Sequence, residues 1–187
     1  MSRKNKRAWQ SKQVHSADYR RFASWLCDRG SLTARLQARG SFAVRSLRQG
    51  LAKPTFDEAL FLGIKPGRLA WVREVALLCD GKPVVFAHTI LPWRPRGPLT
   101  GWLARLGNRS LGALLFADAG FMRGELHSRR LDQRHELFHA AIDAMQLADE
   151  APRSLWARRS RFRYGAQSVL VTEVFSPVLG ENCKPTE

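Results

Sequence analysis

Leu69 to Leu77 and Val169 to Phe175 are strand-like, mostly apolar runs, and each carries a charge on a face that is otherwise apolar. Successive strand residues point to opposite faces, so every second residue shares one. Arg73 therefore shares a face with Leu69, Trp71, Val75 and Leu77, and Glu173 with Val169, Val171 and Phe175. A charge on an apolar face is costly unless it is paired or hydrogen-bonded. Either Arg73 and Glu173 pair with each other, or they hold a polar ligand between them.

The rest of the pattern alternates helices with strands. Ser16 precedes a helical stretch through Cys27, with Phe22, Trp25 and Leu26 on one side and Gly30 at its end. Ser31 caps a short helix, Leu32 to Ala38, stopped by Gly40. Phe42 to Leu47 reads as a strand. Lys65-Pro66-Gly67 turns the chain into the Arg73 strand, Asp80-Gly81-Lys82-Pro83 closes it, and Val84 to Leu91 returns as a hairpin partner. Leu99 to Leu106 is helical, Phe121 to Leu131 is a strand of weak alternation, and His135 to Leu147 is an amphipathic helix. Trp156 to Tyr164 and Ser168 to Phe175 form a last hairpin about Gly165. This order predicts an α+β fold with a largely antiparallel sheet. We expect one domain over residues 16–178, between a basic flexible tail at 1–15 and a C-terminal tail at 179–187.

Composition narrows the setting. A chain of 187 residues, 44% hydrophobic, can bury a sizeable core. No run approaches the roughly 18 apolar residues of a membrane span, so membrane insertion is not expected. The basic start, Met1 to Arg7, is followed by no apolar segment, which argues against a secretory signal. Cys27, Cys79 and Cys183 are widely spaced and form neither a disulfide framework nor a zinc pattern. We expect a reduced, cytoplasmic protein and a monomer. The net charge of +15 invites a nucleic-acid partner. The arginines are nevertheless spread along the chain, and no helix-turn-helix, zinc-finger or RNP pattern accompanies them. No specific nucleic-acid partner is expected. A basic field of this kind also attracts a small dianion.

Other chemical candidates are weaker. His135 and His139, four residues apart on one helix, could bind a metal, but no third ligand lies nearby in sequence. Gly120 and Gly124 are too isolated for a phosphate cradle. Ser110-Leu111-Gly112 lacks the context of a nucleophile elbow. His88, on a face with Phe86 and Ile90, suits a hydrogen-bonded core histidine.

Six motifs in order make a family recognisable. Trp71-Val72-Arg73-Glu74-Val75, Leu78-Cys79-Asp80-Gly81-Lys82-Pro83 and Thr89-Ile90-Leu91-Pro92 come first. Ser110-Leu111-Gly112-Ala113-Leu114-Leu115-Phe116, Leu155-Trp156-Ala157-Arg158-Arg159-Ser160-Arg161-Phe162 and Val171-Thr172-Glu173-Val174-Phe175 follow. From about Trp25 to Pro177 the chain resembles the chorismate pyruvate-lyases. The resemblance implies an enzyme that takes pyruvate from chorismate to leave 4-hydroxybenzoate, the first committed step toward ubiquinone, with no metal or organic cofactor. It implies a six-stranded antiparallel sheet whose helical flaps cover an internal ligand cavity. It assigns Arg73 to the ring carboxylate and Glu173 to the ring hydroxyl, with Leu32 and Leu111 lining the site and giving backbone contacts to the carboxylate. His88 and Arg158 are expected just behind these contacts.

Two departures matter. His88 stands where relatives often carry arginine, so a cationic contact to the enolpyruvyl carboxylate is expected to be weaker or pH-dependent. The stretch from Asp132 to Arg153 is long and is expected to add a peripheral helix. The residues themselves suit the implied chemistry: a guanidinium fork matches a carboxylate, and a carboxylate accepts from a hydroxyl. The alternative is a non-catalytic effector-binding domain of the same fold. Such domains normally follow a winged-helix domain, for which the residues before Leu32 are too few.

Overall fold

The computed structural model describes residues 8–11, 16–93, 98–149 and 151–181. α1 (Ala17–Leu26) and α2 (Leu32–Gln37) precede β1 (Phe42–Ala52), and α3 (Phe56–Leu62) leads into the hairpin β2 (Ala70–Cys79) and β3 (Lys82–Pro92). α4 (Pro98–Ala104), α5 (Leu111–Ala117), β4 (Phe121–Arg123), β5 (His127–Asp132) and α6 (Glu136–Ala144) follow. β6 (Ser154–Tyr164), β7 (Gln167–Phe175) and α7 (Val178–Glu181) complete the order. All strand pairs are antiparallel. The sheet runs β1-β2-β3-β7-β6-β4, and β5 also pairs with β6, making seven strands where six were expected.

Local chemistry explains the boundaries. Ser16 and Ser31 accept hydrogen bonds from the Tyr19 and Ala34 amides, capping α1 and α2 as their positions predict. Asp80 and Gly81 both take positive φ, 50° and 75°, the left-handed pair that a two-residue hairpin turn requires. The strand expected over 121–131 is two strands. Gly124 bends the chain between them, donating to the Arg161 carbonyl at 2.8 Å and leaving the ladder.

Helices cover both faces of the sheet. On one, α1 and α2 pack Phe22, Trp25 and Leu36 against Val75, Leu77 and Phe175, while α4 and α5 pack Leu103 and Leu111 against Leu91, Phe162 and Val171. On the other, α6 packs Phe138, Ala141 and Ile142 against Phe86, Leu155 and Val174. The 132–153 stretch is thus no peripheral addition, because its helix closes that side of the core. Phe61 and Leu62 of α3 lie beside Val72, Ile90 and Leu170.

The expected tails also change. Gln10 exchanges backbone hydrogen bonds with Ser128, and Trp9 donates to Asp57 at 2.8 Å, so part of the 1–15 stretch is seated on the fold. At the other end Leu179 is buried and its carbonyl accepts from the Trp25 indole at 3.0 Å. The folded unit therefore runs past residue 178, and Cys183 lies outside the described residues.

Candidate active site

Strand register fixes which side chains can meet. Directly opposed residues of an antiparallel pair project to the same face. Arg73 opposes Thr89, Thr89 opposes Val171, Ala87 opposes Glu173, Glu173 opposes Arg158, and Phe162 opposes Arg123. All therefore share the face covered by α1, α2, α4 and α5. Between the two apolar clusters on that face lies a small cavity. Arg73, Glu173 and Arg123 are its charged lining; Ala87, Thr89 and Val171 form part of its floor, and Leu32, Thr33 and Leu111 come from the helices over it.

Arg73 and Glu173 do not pair with each other. Two strand spacings separate them, about 10 Å across the sheet. Arg73 is 2% exposed, and its Nη2 donates to the carbonyls of Gly107 and Arg109 at 2.8 and 2.9 Å. Gly107, at φ 51°, makes the left-handed turn there that favours glycine. The buried Nε of Arg73 has no hydrogen-bond partner among the described residues. Burial brings its pKa down to about 10, and the group stays cationic at neutral pH. Glu173 accepts instead from Arg158 Nε at 2.5 Å. Arg158 is 1% exposed, and its Nη1 donates to the carbonyls of Trp25 and Asp28, each at 2.6 Å. The glutamate is thus held from behind by a buried cation, with the cavity before it.

Leu32 and Leu111 are the first residues of α2 and α5 and both line the cavity. First-turn amides have no partner within their own helix, so these positions can supply N–H donors to a carboxylate. A hydrogen bond of 2.5 Å between the Thr33 and Ser110 hydroxyls ties the start of α2 to the residue before α5. A Cβ at Gly112 would lie 3.0 Å from Thr33 Oγ1, so the small residue lets these two covers approach.

His88 lies elsewhere. It alternates with Ala87 and Thr89 and so faces away from the cavity, which corrects the expectation of a contact near the ligand. Its Nδ1 is 3.0 Å from Glu74 Oε1, and its Nε2 makes an ion-pair contact of 3.2 Å with Glu58 of α3. Burial acts to lower its pKa, but the Glu58 and Glu74 carboxylates outweigh this and raise it to about 9. A protonated His88 then fastens α3 to the sheet. His135 is the N-cap of α6 and accepts from the Leu137 amide, while His139 Nε2 lies 3.1 Å from the Gln133 carbonyl. Among the described residues, no cluster of three His, Cys, Asp or Glu side chains could hold a metal.

Arg123 is the cavity residue that the sequence did not reveal. Its strand is three residues long, too short for an alternation to show. The Arg158–Glu173 pair left a clearer signal. Tyr164 opposes Gln167 across a two-residue turn, and counting back from that turn places 158 opposite 173.

A cationic end, a carboxylate end and apolar walls beneath short helices define a small-molecule-binding α+β domain. The fold is similar to the C-terminal domain of PhnF, with a TM-score of 0.55 at 15% identity over 79% of this chain and 89% of that one. It is also similar to the C-terminal domain of the histidine utilization repressor from Pseudomonas syringae pv. tomato, with a TM-score of 0.55 at 10% identity over 74% of this chain and 93% of that one. These likenesses concern fold. Sequence goes further: the family model for chorismate lyase matches residues 4–181. A "Probable chorismate pyruvate-lyase" of Dechloromonas aromatica is 52% identical over 83% of this chain and 86% of its own. One of the same name from Aromatoleum aromaticum is 47% identical over 86% of this chain and 87% of its own. The chain belongs to the chorismate lyase family.

Proposed function

We propose that the protein eliminates pyruvate from chorismate to give 4-hydroxybenzoate and so commits it to ubiquinone, acting as a cytoplasmic monomer. The observation that carries this is the separation of Arg73 and Glu173: one cavity, one face, two strands apart, with no contact between them. A para-substituted ring bearing a carboxylate at one end and a hydroxyl at the other fits that spacing. Arg73, with its buried unpartnered Nε, takes the ring carboxylate, helped by the first-turn amides at Leu32 and Leu111. Glu173 accepts from the ring hydroxyl.

The chemistry asks little more of the protein. The hydrogen on the hydroxyl-bearing carbon leaves as a proton, its electrons complete the aromatic ring, and the ether bond breaks to release enolpyruvate. Protonation of the released enolate at carbon gives pyruvate. Aromatisation drives the step, so holding the substrate in one register lowers the barrier most. Glu173 orients the hydroxyl-bearing carbon and is the nearest candidate base. A wider groove lined by Lys65, Arg68, Trp93 and Gln167 lies at the surface. It has no carboxylate to read a hydroxyl and is open to water, so it fits this substrate poorly.

Purified protein incubated with chorismate and a chelator is expected to release 4-hydroxybenzoate and pyruvate in equal amounts. Binding without turnover would mean an effector-binding domain on this fold, and the proposal would fail.

A further inference from the structure

Arg123 has no task in the account so far, although it lines the same cavity. Its Nε donates to Ser160 Oγ at 3.0 Å, and its Nη1 donates to the carbonyls of Arg29 and Gly30 at 2.8 and 3.2 Å. Its Cζ lies 5.4 Å from the centre of the Phe116 ring and 5.2 Å from that of Phe162. Every one of these partners is neutral. Among the described residues Arg123 makes no ion pair, and the nearby Glu173 is already engaged by Arg158. Ser160, two neutral carbonyls and two rings hold the guanidinium rigidly, yet leave its charge uncompensated. A half-buried cation without a contacting carboxylate is costly unless an anion arrives to meet it.

The charges around the cavity point to that anion. Arg73 and Arg123 line the cavity with a single carboxylate, Glu173, which Arg158 pairs from behind. Three cations against one anion leave an excess of two positive charges. The product carries one carboxylate, which Arg73 takes. Chorismate carries two, one on the ring and one on the enolpyruvyl side chain, and therefore balances the site. The side chain is attached next to the hydroxyl-bearing carbon, near the Glu173 end of the cavity. Arg123 bonds Ser160, two residues along β6 from the Arg158 that opposes Glu173, and so is at that end.

Resting on the proposed activity, we infer that Arg123 binds the enolpyruvyl carboxylate of chorismate and is the group that distinguishes substrate from product. It holds the leaving group as the ether bond breaks and receives charge that departs with pyruvate. The Arg29 and Gly30 carbonyls that hold Arg123 belong to exposed residues, so this end of the cavity lies toward solvent.

The test compares the two ligands on three proteins: wild type, Arg123→Met and Arg123→Lys. Steady-state turnover of chorismate and equilibrium titration with 4-hydroxybenzoate are measured on each, with a thermal melt as a folding control. In Arg123→Met, kcat/KM for chorismate is expected to fall roughly 10- to 100-fold, the effect of losing one charge-assisted contact. Affinity for 4-hydroxybenzoate should stay at the wild-type level, and Arg123→Lys should recover part of the loss. An unchanged kcat/KM, or equal losses for chorismate and 4-hydroxybenzoate, would overturn the assignment. If Arg123→Met fails to fold, Arg123→Lys carries the same comparison: a loss confined to chorismate supports the inference, and no loss or an equal loss overturns it. Absence of turnover by the wild-type protein would instead overturn the activity itself.

Discussion

Glu173 and Arg73 share a cavity but answer to different neighbours, so their removal should do different damage. Glu173 is the only carboxylate paired with Arg158 among the described residues, and Arg158 is buried. Glu173→Ala strands that cation, for which a loss of about 3–5 kcal/mol of stability is expected. Glu173→Gln keeps a hydrogen-bond acceptor and should melt closer to wild type. Among the described residues Arg73 is bonded only to two carbonyls of exposed residues, which water can reach in its absence. Arg73→Met is therefore expected to weaken 4-hydroxybenzoate binding roughly 10- to 100-fold with a smaller shift in melting. Melts and product titrations on the three variants check this; a larger melting shift in Arg73→Met than in Glu173→Ala would contradict it. His88 gives a pH signature. Its pKa is raised in the folded protein, to about 9, so its contribution is fully present below the ordinary histidine value near 6.5 and is lost as pH rises toward 9. The stability advantage of wild type over His88→Gln should shrink across that window by a few kcal/mol, on the order of 3. An advantage that holds constant from pH 6 to about 10 would show that His88 is not protonated in the fold.

At the scale of elements, a side-chain hydrogen bond between Thr33 and Ser110 joins the two covers of the cavity. A neutral hydrogen bond contributes about 0.5–1.5 kcal/mol net, so Thr33→Val or Ser110→Ala should speed 4-hydroxybenzoate release roughly 2- to 10-fold. Stopped-flow dissociation reads this directly, and an unchanged off-rate would mean that product leaves by another route. The same scale shows what the sequence could and could not disclose. Parity along β2 and β7 put Arg73 and Glu173 each among apolar neighbours on one face, because side chains alternate strictly along a strand. It could not show that β3 separates them, since strand order is a tertiary fact. β1 extends five residues beyond the expected Leu47 because its register shifts between Ser46 and Arg48, and an irregular strand loses its alternation. α3 left a usable sign in Thr55 and Glu58, a capping box whose two halves both form. His88 misled because a position matched to a family arginine suggested the ligand, whereas strand parity alone already turned it away.

For the whole molecule, the charge of +15 is shared between structure and site. Arg159 pairs with Asp57 and stacks near Trp9 and Phe61, and Arg130 pairs with Asp18, so part of the arginine content fastens elements together. Arg73 and Arg123 line the cavity, and Arg158 backs Glu173. What remains at the surface should give weak, sequence-independent DNA binding that falls steeply with salt; a tight, selective complex at physiological salt would show that the surface charge has a specific partner. A basic surface also raises the encounter rate with a dianion, an effect that added salt should reduce. The central claim is that Arg73 and Glu173 read the two ends of one ring in the cavity between them. A crystal structure of the protein with 4-hydroxybenzoate tests it most directly. The account predicts the ligand carboxylate within hydrogen-bond distance of Arg73 and of the amides at Leu32 and Leu111, and the hydroxyl within the same distance of Glu173. A ligand bound the other way round, or seated instead in the surface groove beside Arg68 and Trp93, would contradict it.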